Sequence, residues 1–338
     1  MAGTPLIRRP ARPLYNGLEI DMLSLGKADC ILVSRWTRGA VRRVLIDGGE
    51  RQHAPYIKAF LRRRGALNID HVVCSHLHKD HAEGLIELAK DRELHFGRAW
   101  VHKTEENVDV DELNEAFAAT ADSPVSQFLF ESIVTQQTLV RCLEGRGVTV
   151  SEPFTGKRIG FLGVCGPSRG YYTRLLARFR DVDRLRVICE QVEAGRAADL
   201  VLEAPDELTV APRTAPENNA STILVACFGG GNYLFTGDAG AEALERVAGP
   251  GVLEGCTWMQ IPHHGSRHNI TRRLIDHFRP EVAFVSADGE THPYACVVDA
   301  FREAGTTVFG THWPEPGDLW YRVGRVRPRL TYGDAVPV

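Results

Sequence analysis

The sequence contains no dithiol pair. Its eight cysteines (Cys30, Cys74, Cys142, Cys165, Cys189, Cys227, Cys256 and Cys296) stand singly, several of them inside apolar runs such as Val72-Val73-Cys74. With no C-x-x-C spacing, buried reduced thiols are the expectation, and with them a cytoplasmic setting. An uninterrupted apolar stretch of the ~20 residues that a membrane span needs is also missing, so no membrane segment is predicted. Charge of one sign is not in excess: 40 basic residues face 43 acidic ones, a formal net charge of −3. General attraction to nucleic acid is therefore not expected, although a local basic cleft remains compatible with that balance. Residues 1–17 carry Arg8, Arg9 and Arg12 among prolines without an apolar core of signal-peptide length, and read as an extended arm. No low-complexity linker divides the remainder. Residues 18–338 read as one domain with helical insertions near 105–145 and 171–197, in a chain of ordinary globular composition, 43% hydrophobic and 25% charged.

The ordered signals are short strands. Leu18–Leu23, Cys30–Val33 and Val44–Ile46 alternate or run apolar and predict three strands of an antiparallel sheet, the third ending at Asp47-Gly48-Gly49. A helix is expected from Ala54 to Leu61, a strand over Ile69–Cys74 and a helix over Ala82–Lys90. Further strands are expected at Gly97–His102, Arg158–Val164, Ser221–Phe228, Tyr233–Phe235, Thr257–Ile261, Val282–Ser286, Thr306–Phe309 and Leu319–Val323. Gly229 to Asn232 marks a hairpin turn. Strands come in runs separated by helices, which predicts two mixed sheets packed face to face with helices outside. The apolar residues between 105 and 145 are expected to serve as helical cover over a sheet.

Against this background one stretch stands out. Ser75-His76-Leu77-His78-Lys79-Asp80-His81 places three imidazoles and a carboxylate within seven residues, in a chain with only 13 histidines. Imidazole with carboxylate suits Zn²⁺, Mn²⁺ or Fe²⁺, and a loop between an apolar strand and an apolar helix is both ordered and accessible. Three other strand ends carry metal-competent groups: Asp47 before Gly48-Gly49, Asp238 after Phe235-Thr236-Gly237, and His263-His264 after Pro262. Strand ends on one edge of a sheet can converge, and a single site is expected. A two-metal hydrolytic centre needs two sets of nitrogen and oxygen ligands with a shared oxygen, and these residues can meet that need.

The pattern His76-x-His78-x-Asp80-His81 resembles the signature of the metallo-β-lactamase superfamily. Gly26-Lys27-Ala28-Asp29, Ile46-Asp47-Gly48-Gly49, Phe235-Thr236-Gly237-Asp238, Pro262-His263-His264-Gly265-Ser266, Asn218–Ser221 and His292-Pro293 narrow the resemblance to the soluble hydrolase domain of ComEC-type competence proteins. It implies an α+β fold, a four-layer αββα sandwich of two mixed sheets with external helices. It further implies a hydrolase with a dinuclear centre and a bridging hydroxide, most readily acting on a phosphodiester of DNA or RNA, with Zn²⁺ expected and Mn²⁺ as the alternative. Two other readings stay open: hydrolysis of a small-molecule ester, lactone or thioester, and a partner-regulated effector that binds a protein through its helical insertions. By resemblance, His76 and His78 hold the first ion, Asp80, His81 and His264 the second, and Asp238 bridges. His263 could replace His264. Asp47 is expected to orient a ligand, and Ser266 to touch substrate or cap a helix. His292 is expected to protonate a leaving oxygen. Many members have a further histidine on the first ion. Here only His95 and His102 lie in the interval, both too early, and either an oxygen of Asn218 or water is expected to fill the place.

Overall fold

The computed structural model describes residues 15–107, 124–179, 208, 214–249 and 253–326. The first sheet contains β1 (Asn16–Met22), β2 (Ile31–Thr37), β3 (Ala40–Ile46), β4 (Asn68–Val73), β5 (His95–Trp100), β6 (Thr149–Ser151) and β14 (Leu319–Arg325), in the order β14-β1-β2-β3-β4-β5-β6. The second contains β7 (Arg158–Ile159), β8 (Leu162–Gly166), β9 (Ile223–Phe228), β10 (Gly231–Phe235), β11 (Trp258–Gln260), β12 (Val282–Val285) and β13 (Thr307–Gly310), in the order β13-β12-β11-β10-β9-β8-β7. Both sheets are mixed. In the first, pairing turns from antiparallel to parallel at β3 and β4. In the second it turns at β10 and β11.

The alternation of side chains along a strand builds the layers. Val44 and Ile46 point to a core shared with Leu224, Tyr233, Phe235, Trp258 and Phe284 of the other sheet, which packs the two sheets face to face. Leu45 points the opposite way, onto Ile57, Phe60 and Leu61 of α1 (Ala54–Arg63) and Leu85 and Leu88 of α2 (Lys79–Lys90). Likewise Leu234 turns away from its neighbours Tyr233 and Phe235, onto Leu244 of α6 (Ala241–Val247), Ile275 of α7 (Arg272–Phe278) and Phe301 of α8 (Ala295–Glu303). Three apolar layers thus hold four layers of structure, as the strand grammar predicts. Strands covered on both faces read as nearly continuous apolar runs, which explains why Cys30–Val33 and Val44–Ile46 show little polar alternation.

Several expectations need correction. The strand expected over Arg158–Val164 is a hairpin of two strands, because Gly160 adopts a left-handed φ of 62° and turns the chain within it. The turn after β9 uses only Gly229 and Gly230, both left-handed, while Gly231 and Asn232 already pair with Phe228 and Cys227. Helix α2 starts at Lys79, so Asp80 and His81 lie in its first turn. Strand β1 begins inside the stretch read as an arm, and residues 1–14 lie outside the described residues. Of the two insertions, the described helices are α3 (Pro124–Glu144) and α4 (Arg169–Phe179); residues 108–123 and 180–197 are outside the described set. Helix α3 is only partly cover. Leu129, Ile133, Leu139 and Val140 are buried, whereas Phe128, Phe130 and Val134 are exposed. At the C-terminal end of α1, Arg64 bridges Glu19 and Asp21 of β1, both buried.

The contact that positions the site is between backbones. The Gly48 N–H donates to the His81 carbonyl at 2.9 Å, and the Gly84 N–H donates to the Gly49 carbonyl at 2.8 Å. Helix α2 therefore rests directly on the loop after β3. A Cβ at position 84 would stand 1.8 Å from the Gly48 carbonyl oxygen, so glycine is required there by close approach. Gly84→Ala is expected to lower unfolding stability by about 1–3 kcal/mol through overpacking. Urea denaturation checks this, and a change within about 0.5 kcal/mol, the range of a neutral surface substitution, would show that α2 shifts without cost.

Candidate metal centre

Five loops at strand ends meet along one edge of the two sheets. Asp47 follows β3 in a left-handed conformation, φ 59°, which is costly for a residue other than glycine and turns its carboxylate toward the end of β4. There Asp47 Oδ1 accepts from the Ser75 N–H at 2.7 Å, and Oδ2 accepts from the Ser75 hydroxyl at 2.7 Å. The same Oδ2 lies 2.9 Å from His81 Nδ1. A ring proton on Nδ1 satisfies that contact and leaves His81 Nε2 as a lone-pair donor. His76 Nδ1 lies 3.1 Å from the Ser75 hydroxyl oxygen, and His264 Nδ1 lies 3.1 Å from the Ser286 carbonyl, which orient those rings in the same way.

All the outward nitrogens are then free on one side. The Nε2 atoms of His76, His78, His81 and His264, together with Asp238 Oδ1, are buried and have no hydrogen-bond partner. Buried polar atoms left unpaired are uncommon, and here five of them converge. Asp80, His81, Asp238 and His264 place ligand-competent atoms within 4.8 Å of one another, as do His76, His78 and Asp238. Asp238 is common to both groups: its Oδ2 is 3.7 Å from His76 Nε2 and 3.4 Å from His81 Nε2. The donor set of imidazole nitrogen and carboxylate oxygen fits two divalent cations of the zinc or manganese type.

The remaining expected residues sit around this cluster. His263 is partly exposed, with Nδ1 2.9 Å from Asn269 Oδ1 and Nε2 3.6 Å from Asp238, so it stands at the mouth while His264 lies inside. Both adopt left-handed backbone, φ 47° and 56°, ahead of Gly265 at 83°. His292 is partly buried and its ring stacks on His263 with centroids 6.2 Å apart. Asn218 lies in the short helix α5 (Pro216–Asn219), its amide nitrogen 3.4 Å from His263 Nδ1. Ser266 is buried and is not the N-cap of α7. That cap is Thr271, whose side chain accepts from the Leu274 N–H, because a turn at residues 267–269 separates Ser266 from the helix. Arg272 and Arg273 pair with Glu303 and Glu245 on the surface, and Arg267 stacks over the Tyr294 ring.

Three contributors were not among the expected site residues. Asp29, buried behind the cluster, accepts from the Gln260 amide at 2.8 Å and from the Ser286 hydroxyl, tying the two sheets together beneath His81 and His264. Its place in the Gly26–Asp29 turn was the available signal. Glu217 Oε1 stands 3.9 Å from His78 Nε2, and Phe128 of α3 packs edge-on against the His78 ring at 5.0 Å. Phe128 has no motif around it, and Glu217 directly precedes the Asn218–Ser221 stretch. His102 is excluded from the cluster by packing, being stacked on Tyr172 at 4.4 Å with Nε2 near the Thr222 hydroxyl.

Electrostatics divides the imidazoles into two kinds. Burial pushes His78 down to about 4, and burial with the neighbouring His81 and His78 holds His76 well below the usual imidazole range. Burial opposes charge on His264 too, but Asp238 and Asp80 overcome it and raise that group to about 9; His81 is raised in the same way. His292 is lowered to about 4 by burial and by His263 and His264. Without a cation, protons on His81 and His264 balance the buried carboxylates.

Residues 26–155 match the model described as the metallo-beta-lactamase superfamily, and the sheet order with its three cores is the αββα sandwich of that fold. The fold is thus of the metallo-β-lactamase type, and its edge carries a His/Asp cluster that could hold divalent metal. Among individual proteins, the chain is 27% identical over 115 residues to ComE operon protein 3 of Bacillus subtilis (strain 168), which covers 33% of this chain and 15% of that protein. The match therefore spans a small part of that relative's length. Among solved structures, the metallo-beta-lactamase fold protein YhfI of Bacillus subtilis overlaps with 91% of this chain and all of its own, at 10% identity and a TM-score of 0.43. A putative metallo-beta-lactamase of Thermotoga maritima overlaps with 66% of this chain and 79% of its own, at 13% identity and a TM-score of 0.31.

A cation entering the cluster must displace the protons on His81 and His264. At pH 7 His264, raised to about 9, is protonated, so uptake should release protons and apparent affinity should climb with pH until about 9, then level off. Calorimetric titration with Zn²⁺ in buffers of different ionisation enthalpy measures the release. A proton count near zero at pH 7 would contradict the charge balance described.

Proposed function

We propose that this protein is a metal-dependent hydrolase with a dinuclear centre that cleaves phosphodiester bonds in DNA or RNA, in a cytoplasmic setting, with Zn²⁺ or Mn²⁺ as the ions. The observation that carries the reading is the convergence of five buried, partnerless donor atoms from His76, His78, His81, His264 and Asp238. His76 and His78 would hold one ion and Asp80, His81 and His264 the other, with Asp238 between them. Bound there, two such ions supply an ionised water near neutral pH and neutralise charge developing on the reacting group.

The chain's own residues do the rest. Asp47, Ser75 and the Ser286 carbonyl take the Nδ1 protons and so aim the Nε2 lone pairs inward. Asp80 and Asp238 are placed to orient an attacking water and accept its proton. His263 and His292 form a rim of imidazoles suited to phosphate oxygens. His292, lowered to about 4, is neutral at pH 7, so it becomes a donor to the leaving oxygen only when an anionic substrate raises it. Of the seven described cysteines Cys30, Cys74 and Cys256 are buried, as expected of reduced thiols, whereas Cys227 is exposed. Among the described residues no helix is long and apolar enough to cross a membrane.

A second reading, hydrolysis of a small ester, lactone or thioester, is favoured by one observation: Phe128 is exposed beside His78 and offers an apolar wall to an acyl or aryl group. The test separates the two. The full chain loaded with Mn²⁺ or Zn²⁺ is assayed on single- and double-stranded DNA and RNA, beside Asp80→Ala, Asp238→Ala and Asp47→Ala. Cleavage is expected to fall about 10- to 100-fold for Asp47→Ala, the usual cost of losing a ligand's orienting partner, and by more than about 100-fold for the other two. If none of these nucleic acids is cut with either metal, the phosphodiester reading fails and ester substrates take its place.

A further inference from the structure

Asp238 is shared between the two ions, so the first ion has only His76 and His78 to itself where the second has Asp80, His81 and His264, and its shell is one protein ligand short of its neighbour's. We propose that Glu217 closes it. The proposal rests on the dinuclear reading above and names a ligand that the motifs do not supply.

Geometry is the first support. Two atoms bonded at ~2.0–2.2 Å to one ion lie at most ~4.4 Å apart, and Glu217 Oε1 is 3.9 Å from His78 Nε2. It stands on the His78 side of the trio but outside the 4.8 Å group that His76, His78 and Asp238 form, so joining the ion requires its side chain to turn inward. The second support is how firmly the backbone beneath it is held. All four residues of α5 are buried. The Asn219 amide donates to the Thr214 carbonyl and its oxygen accepts from the Ala243 N–H, while Ser221 Oγ accepts from the Asp238 N–H at 3.2 Å. The Thr222 N–H then donates to the Ser75 carbonyl at 2.8 Å, which locks this segment to the residue that precedes His76. Among the described residues the one basic nitrogen within 4 Å of this buried carboxyl group is His78 Nε2, on a ring that burial keeps neutral, so a bound cation would be its counter-charge.

Symmetry is the third support. With Glu217 in place, each ion has two imidazoles, one carboxylate of its own (Glu217 or Asp80) and a share of Asp238. Three carboxylates against two divalent ions leave one positive charge, enough to balance the ionised water that the hydrolytic reading requires. Asn218, the other candidate in α5, has its amide nitrogen 3.4 Å from His263 Nδ1 and its amide oxygen buried without a hydrogen-bond partner, so the two residues are separated by experiment. An oxygen ligand in place of a nitrogen also hardens the first site, so Mn²⁺ should compete better there than at an all-imidazole site.

Metal uptake tests this without reference to turnover. Metal-stripped full chain is titrated with Co²⁺, following visible absorption and metal content per chain, for wild type, Glu217→Gln, Glu217→Ala, Glu217→His and Asn218→Ala, with circular dichroism confirming the fold of each. Wild type and Asn218→Ala are expected to take up two ions. Glu217→Gln and Glu217→Ala should keep one at wild-type affinity and bind the other at least about 10-fold more weakly. Glu217→His should restore the second ion, with an absorption spectrum changed by the added nitrogen and with Mn²⁺ displaced more readily by Zn²⁺. Two ions bound by Glu217→Ala within twofold of wild-type affinity would overturn the assignment, as would loss of an ion in Asn218→Ala alone. A wild-type chain that takes up fewer than two ions overturns the dinuclear reading instead.

Discussion

The carboxylate of Asp47 is the group on which the site depends. It receives the Ser75 N–H, the Ser75 hydroxyl and the His81 ring within 2.9 Å, and so joins the end of β3, the end of β4 and the first turn of α2 at one buried point. A buried carboxylate is tolerable only when its lone pairs are filled, and three donors fill them. The left-handed backbone at Asp47 costs on the order of 1–3 kcal/mol, which that network and the two backbone bonds from the loop to α2 offset. Without this knot the tautomers of His76 and His81 are undetermined, and with them the direction in which their lone pairs point.

A second buried carboxylate does for the two sheets what Asp47 does for the strand ends. Asp29 sits at the start of β2, and its partners Gln260 and Ser286 belong to the ends of β11 and β12 on the other sheet. Gln260 in turn accepts from the backbone N–H groups of Thr236 and Gly237, fixing the loop that presents Asp238. The sheets thus meet through apolar packing over most of their area and through a polar network only at the edge where the cluster lies. Placing the polar contacts there keeps the edge dry and rigid at once, and low local dielectric strengthens every contact among the carboxylates and imidazoles.

Much of the architecture was legible in the chain because its cause is local. Apolar runs of four to seven residues ended by Gly, Asp or Pro mark strands whatever surrounds them, and the order of those runs allows few arrangements other than two sheets covered by helices. The His76–His81 cluster was legible because one loop carries it whole. What failed was also local in cause. Gly160 turned an expected strand into a hairpin, and α2 began three residues earlier than its apolar face suggested, since its first turn is spent on Asp80 and His81 rather than on packing.

By itself, then, the sequence determined the strand-ending loops, the chemical types of the donors and the short-range pairs among them, since these follow from residue identity and spacing. Only the tertiary structure decided which of His263 and His264 lies inside the cluster, because that depends on two successive left-handed residues and on where the Ser286 carbonyl falls. It alone brought Glu217 and Phe128 to His78, from positions 139 and 50 residues further along the chain. No motif surrounds Phe128, and Glu217 only borders the Asn218–Ser221 stretch; contacts of this range exist only once both sheets and their helices have packed.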